Sequence, residues 1–159
     1  MEITVSVALP RDSVSVPVIR SLTSQALRIL EVDEDCIADI ETALSEACTN
    51  VLLHAAAGEE YSVSTTIDGR QCIIEVVDSG HGFDPSTIPD PGSEPQADHG
   101  RGLLLMRQLV DAVTFDVGEN VGTVVRMEKQ LYWRDDDAVG KRLDQDRDDR
   151  PAIARPSHG

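Results

Sequence analysis

The sequence predicts an α+β fold in two layers, a mixed but mainly antiparallel sheet with helices on one face. Three observations predict it. Apolar and polar residues alternate over the first ten positions, two long stretches then carry apolar residues at helical spacing, and later strand-like runs come in pairs joined by short turn signals. At 159 residues the chain is long enough to bury one core without disulfide or metal staples.

Each element follows in order. Ile3, Val5, Val7 and Leu9 alternate with polar residues, as in a half-buried strand that Pro10 ends. From Asp12 to Leu30 the period changes to that of a helix, with Ile19, Leu22, Ala26, Leu27 and Leu30 as its apolar stripe and Pro17 tolerated in the first turns. A second helix runs from Glu34 to Ala55, its buried stripe being Ile37, Ile40, Leu44, Ala47 and Val51, and Gly58 closes it. Tyr61 to Asp68 and Gln71 to Asp78 read as a hairpin through Gly69. Pro85 to His99 holds four prolines and too many breakers for an element, which predicts a long loop acting as a mobile lid. Gly102 to Val113 has helical spacing, and Val113 to Val117 and Thr123 to Leu131 form a last hairpin around Glu119 and Asn120. Residues 1–134 are expected to be the folded domain. Residues 135–159 are read as an acidic, disordered tail, because Asp135 to Asp137 and the Asp144 to Asp149 run leave almost nothing apolar to bury.

A formal net charge of −15 repels nucleic-acid phosphates and anionic lipid, and no local basic patch offsets it. Neither direct nucleic-acid nor membrane binding is expected. Met1 to Ser6 lacks the basic and apolar regions of a signal peptide, and no run approaches a membrane span, so a cytoplasmic location is expected. Cys36, Cys48 and Cys72 show neither paired Cys-x-x-Cys spacing nor a nearby His at zinc-ligand distance, so they are read as reduced, partly buried thiols.

Three patches carry chemistry. Glu46, Asn50 and His54 recur at i, i+4 and i+8, placing a carboxylate, an amide oxygen and an imidazole in a row beside the buried seam of one helix. An asparagine inside a helix competes for backbone hydrogen bonds, and a single oxygen ligand for Mg²⁺ is one reason to keep it. The plainer alternative is a solvated helix face with a stray amide. Asp78 ends an apolar strand and leads into Gly80 and Gly82; a carboxylate there suits an exocyclic amine such as adenine N6, and glycines let base and ribose approach the backbone. A tight Asp-Ser-Gly turn explains the same residues. Gly100, Arg101 and Gly102 open a helix, where backbone N–H groups and a guanidinium suit phosphate, although a glycine-rich helix start also accounts for them.

Taken jointly, the patches resemble the GHKL ATPase/kinase superfamily with its Bergerat ATP-binding fold, and within it the anti-sigma factor serine/threonine kinases. Ala43 to His54 is similar to the N-box, Asp78 to Pro85 to the G1 box, His99 to Leu105 to the G2 box, and Gly122-Thr123 to the Gly-Thr of the last strand. The likeness covers about residues 1 to 134, and motifs in order over that span are far more specific than a lone glycine motif.

The resemblance implies that Asn50 ligates Mg²⁺, Asp78 reads adenine with support from Thr123, and Gly80 and Gly82 line the nucleotide. It implies that Gly100, Arg101 and Gly102 cover the phosphates, with His54 bordering them, and that Glu46 is the general base for a target hydroxyl. The implied partners are a STAS-domain anti-anti-sigma protein as substrate and a sigma factor, with a homodimer a family expectation. A non-catalytic, ATP-dependent binding regulator of the same fold is the alternative. A sensor histidine kinase is disfavoured because no dimerisation helices with a phosphoacceptor His precede the first strand, and a Walker-type NTPase because no Gly-x4-Gly-Lys-Ser/Thr occurs.

Overall fold

The computed structural model describes residues 1–54, 60–78, 99–118 and 122–134. Its elements are β1 (Ile3–Pro10), α1 (Ser15–Ile29), α2 (Glu34–His54), β2 (Glu60–Ile67), β3 (Gln71–Asp78), α3 (His99–Leu109), β4 (Ala112–Gly118) and β5 (Gly122–Gln130). The strands form one five-stranded sheet in the order β1-β2-β3-β5-β4, and each of its four pairings is antiparallel. Helices pack on one face, with α2 in contact with both α1 and α3. The expected two-layer α+β architecture is therefore observed.

The alternation along the strands decides which side chains face the helices. Tyr61, Val63 and Ile67 of β2, Cys72, Ile74 and Val76 of β3, and Val125 and Met127 of β5 are buried together with Ile37, Ile40, Leu44, Ala47 and Val51 of α2. All five predicted stripe residues of α2 are thus in the core. On the opposite sheet face, hydroxyls pair across strands, Thr4 with Thr66 at 3.0 Å and Ser6 with Ser64 at 3.1 Å. Arg126 there bridges Glu75 at 2.8 Å and Glu128 at 3.0 Å. The hydroxyl pairs and Arg126–Glu75 lie at matched register positions, as cross-strand neighbours should, while Glu128 is two residues along the same strand as Arg126.

Local signals set the connections. Asp68 Oδ1 accepts the N–H groups of Arg70 at 2.7 Å and Gln71 at 2.9 Å, which turns β2 into β3. Asp33 Oδ1 accepts from Asp35 N at 2.9 Å and caps α2, whose first turn also carries Glu34 and Asp35 toward the positive end of the helix dipole. The end of α1 is a Schellman motif, with Glu31 N–H donating to Arg28 O at 3.0 Å and Val32 N–H to Leu27 O at 3.1 Å. That motif needs a left-handed residue, and Glu31 takes the position at φ 62° although it carries a Cβ. Glu31→Gly is therefore expected to raise the unfolding free energy by about 1 kcal/mol. Thermal denaturation checks this, and a lowered melting temperature contradicts it.

Three expectations need correction. Leu22, placed in the inward stripe of α1, is 48% exposed; Ile19 and Leu27 of that stripe are buried as expected, joined by Ser15 and Thr23, because an i, i+4 row packs inward. The third helix starts at His99 and not at Gly102, so Gly100, Arg101 and Gly102 lie within its first turn. It also stops at Leu109, earlier than Val113, because Asp111 N–H already donates to Glu128 O at 2.9 Å and draws the chain into β4. The boundary of α1 is likewise shorter than Asp12 to Leu30, since the Asp12 carbonyl and side chain form the turn that precedes the helix. Gly58, most of the Pro85 to His99 loop, Glu119, Asn120 and the tail at 135–159 lie outside the described residues.

Two further features hold the site's elements in place. Lys129 Nζ on β5 donates to Asp39 Oδ2 of α2 at 2.8 Å and to the Leu109 carbonyl of α3 at 2.7 Å, satisfying a helix C-terminal acceptor with a cation. The buried Tyr61 hydroxyl lies 2.6 Å from Ser15 Oγ, which ties α1 to β2. The three cysteines are reduced and more deeply buried than expected, and burial pushes the thiols of Cys48 and Cys72 up to about 12. Such thiols are inert packing groups at neutral pH. Among the described residues no helix is long and apolar enough to cross a membrane.

Candidate active site

α2 carries the first patch. Its inward row is apolar, so the residues one step around the helix, Glu46 and Asn50, lie half-buried at the edge of the packed seam. They face the first turn of α3. A Cβ placed on Gly102 would stand 2.6 Å from Glu46 Oε2 and 3.7 Å from Asn50 Oδ1. With glycine there, the Glu46 carboxylate keeps this place against α3, whereas any larger residue would push it aside. The structure thus joins two patches that lie 52 positions apart in sequence, counting from Asn50 to Gly102. Arg101 is exposed on the same first turn. The helix N-terminus beside it supplies backbone N–H groups suited to phosphate.

Asp78 is the last residue of β3 and is 1% exposed. Its Oδ1 accepts from Arg11 Nη2 at 2.5 Å, an ion pair between the β1–α1 turn and the sheet. A buried carboxylate without compensation is costly, and the guanidinium provides that compensation. Val77 pairs with Val124 in the β3–β5 register, which brings Thr123 to the level of Asp78 on the neighbouring strand, where it is buried. Gly122 precedes it at φ 72°, a left-handed backbone that favours glycine. His54 is the last residue of α2, and Gly100 lies in the first turn of α3. Gly80 and Gly82 are outside the described residues.

A groove of about 510 Å³ runs between α1 and α2 and ends at Glu46, lined on the α1 side by Arg20, Ser24 and Arg28 and on the α2 side by Glu41 and Ser45. Arg28 is held by Glu34 at 3.3 Å and Glu41 at 3.6 Å. Sequence reasoning missed this groove and missed Arg11. The groove arises from how two helices pack, and Arg11 meets its partner across 67 positions, so neither left a local signal.

The donor set suits a magnesium nucleotide. Glu46 and Asn50 offer oxygen atoms of the kind a hard cation takes, next to a helix start that suits phosphate, and Asp78 offers a buried acceptor at a strand end. Among the described residues no group of three or more His, Cys, Asp or Glu side chains is placed to hold a metal ion.

A nucleotide-binding fold of this kind defines a class, and the sequence falls within it: the chain belongs to the family described as the histidine kinase-like ATPase domain, which matches residues 9–129. The resemblance read from the three motifs is thereby borne out. The chain is 34% identical over 150 residues to the serine-protein kinase RsbW of Halalkalibacterium halodurans, covering 89% of this chain and 90% of that one. It is 32% identical over 101 residues to the anti-sigma F factor of Clostridium kluyveri, covering 60% of this chain and 71% of that one. The crystal structure of the RsbU and RsbW domains of a Mycobacterium tuberculosis protein superimposes at a TM-score of 0.62 with 18% identity over 82% of this chain. This chain spans 33% of that longer one, so the likeness is one of fold.

Proposed function

We propose that this chain is an ATP-dependent serine/threonine protein kinase that acts as an anti-sigma factor. In this reading it phosphorylates a STAS-domain anti-anti-sigma protein and holds a sigma factor when that antagonist is absent. The observation that carries it is the approach of Gly102 to Glu46 and Asn50, which sets a carboxylate, an amide oxygen and a helix N-terminus side by side. The family membership supports ATP as the nucleotide, and the names of the relatives support the serine-directed and anti-sigma roles.

Bound MgATP supplies the transferable phosphoryl group and the cation that offsets its charge. The residues of the chain do the rest. Asn50 Oδ1 holds the cation, Asp78 accepts from the base, the α3 start with Arg101 faces the phosphates, and His54 borders them. Glu46 accepts the proton of the target hydroxyl as its oxygen bonds to phosphorus and the bond to the departing diphosphate breaks. The groove that ends at Glu46 gives a target segment a route to that base, with Arg20 and Arg28 along its wall.

The test is transfer of labelled γ-phosphate to a STAS-domain protein that co-purifies with the chain, with its serines and threonines replaced in turn. Labelling that follows one hydroxyl supports the kinase reading; MgATP and partner binding with no transfer favours the non-catalytic regulator. Asn50→Ala isolates the cation. Its affinity for MgATP is expected to fall about tenfold or more while its affinity for ATP under chelation equals that of the parent. Calorimetry with and without chelator measures both, and unchanged MgATP affinity removes Asn50 from the cation site.

A further inference from the structure

We propose that Arg11 is a positioning residue that makes Asp78 discriminate between 6-amino and 6-oxo purines. This rests on the reading of Asp78 as the acceptor for the base. Asp78 is almost wholly buried, and Arg11, itself only 13% exposed at its side chain, reaches it at 2.5 Å. The guanidinium comes from a turn whose backbone is fixed: Asp12 N–H donates to Pro10 O at 2.8 Å and Ser15 N–H to Asp12 O at 2.9 Å. The contact is therefore presented from a defined position and not from a loose surface chain.

The chemistry follows from the two partners. The guanidinium is planar and presents its donors in a rigid fork, so its contact with Oδ1 fixes the plane of the Asp78 carboxylate and the direction of its remaining lone pairs. An anionic carboxylate only accepts hydrogen bonds. It accepts from the 6-amino group of adenine and faces the lone pairs of a 6-oxo group with like charge. With about four lone-pair positions, a carboxylate can serve the guanidinium and a base at once. Arg11 thus sets selectivity through the orientation of the Asp78 carboxylate, without touching the nucleotide.

Calorimetric affinities for ATP, ITP and tripolyphosphate test this on the full chain. The parent is expected to prefer ATP over ITP. Arg11→Met is expected to lower that ratio about tenfold or more, the worth of one charge-assisted hydrogen bond, with tripolyphosphate affinity unchanged. Arg11→Lys keeps the charge without the planar fork and should fall between the two. In an Asp78→Asn background Arg11→Met should leave the ratio unmoved, since Arg11 acts only through that carboxylate. A purely structural ion pair moves stability and not the ratio, so an unchanged ratio in Arg11→Met overturns the proposal. If that variant does not fold, an unchanged ratio in Arg11→Lys overturns it. A parent that binds ATP and ITP equally overturns the reading of Asp78 itself, and this proposal with it.

Discussion

Glu46→Gln is expected to bind MgATP with nearly the parent affinity and to transfer phosphate about 10² to 10⁴-fold more slowly. The two effects separate because, in the proposed reading, other groups hold the nucleotide: Asn50, the start of α3 and Asp78. Glutamine has the shape of glutamate and keeps an oxygen near Gly102, so packing around the 2.6 Å approach is preserved. What it lacks is the capacity to take the hydroxyl proton. Nucleotide affinity by calorimetry and initial rates of labelled transfer are the paired measurements. Undiminished transfer leaves the kinase reading standing and removes Glu46 as its base.

Gly102→Ala is expected to reach a similar loss by a different route. The new Cβ falls 2.6 Å from Glu46 Oε2, closer than real contacts allow, while Asn50 Oδ1 at 3.7 Å is at ordinary contact distance. Glu46 is the group that yields, because the colliding atom is the far end of a flexible side chain. Stability should not suffer; alanine is favoured over glycine inside a helix by about 1 kcal/mol, so the melting temperature is expected to hold or rise. Transfer should fall about 100-fold, the effect of displacing a catalytic group by about an ångström. A stable variant with parent activity shows that the position of Glu46 against α3 is immaterial to the reaction. Combining Gly102→Ala with Glu46→Gln should add little, since both disable the same group.

The elements of this fold were legible because their signals are local. Period-two alternation placed β1, β2 and β3 close to their observed bounds, and the five-residue stripe of α2 was read correctly because a long central helix has one unambiguous apolar side. α1 was less legible. Its inward row contains Ser15, Thr23 and Ser24, polar residues that pack or hydrogen-bond inside beside Ile19 and Leu27, while apolar Leu22 faces out, so hydrophobicity alone misplaces Leu22 and passes over the polar members. The start of α3 is hard to read for a related reason: two glycines argue against helix by propensity, yet the first turn tolerates them, and Gly102 there leaves room for the Glu46 carboxylate.

The two-layer class and, through the motifs, the family follow from the chain alone, because spacing along a helix or strand needs no tertiary contact; the same spacing proposes Glu46, Asn50 and Asp78 as site residues, and the family resemblance adds Thr123. Only the tertiary structure decided which of them meet. It brought Gly102 against Glu46 and Asn50, set Thr123 level with Asp78, opened the groove between α1 and α2, and gave Asp78 a cation from the turn after β1. Those are contacts between distant segments, fixed by strand register and helix packing, and no local periodicity encodes them.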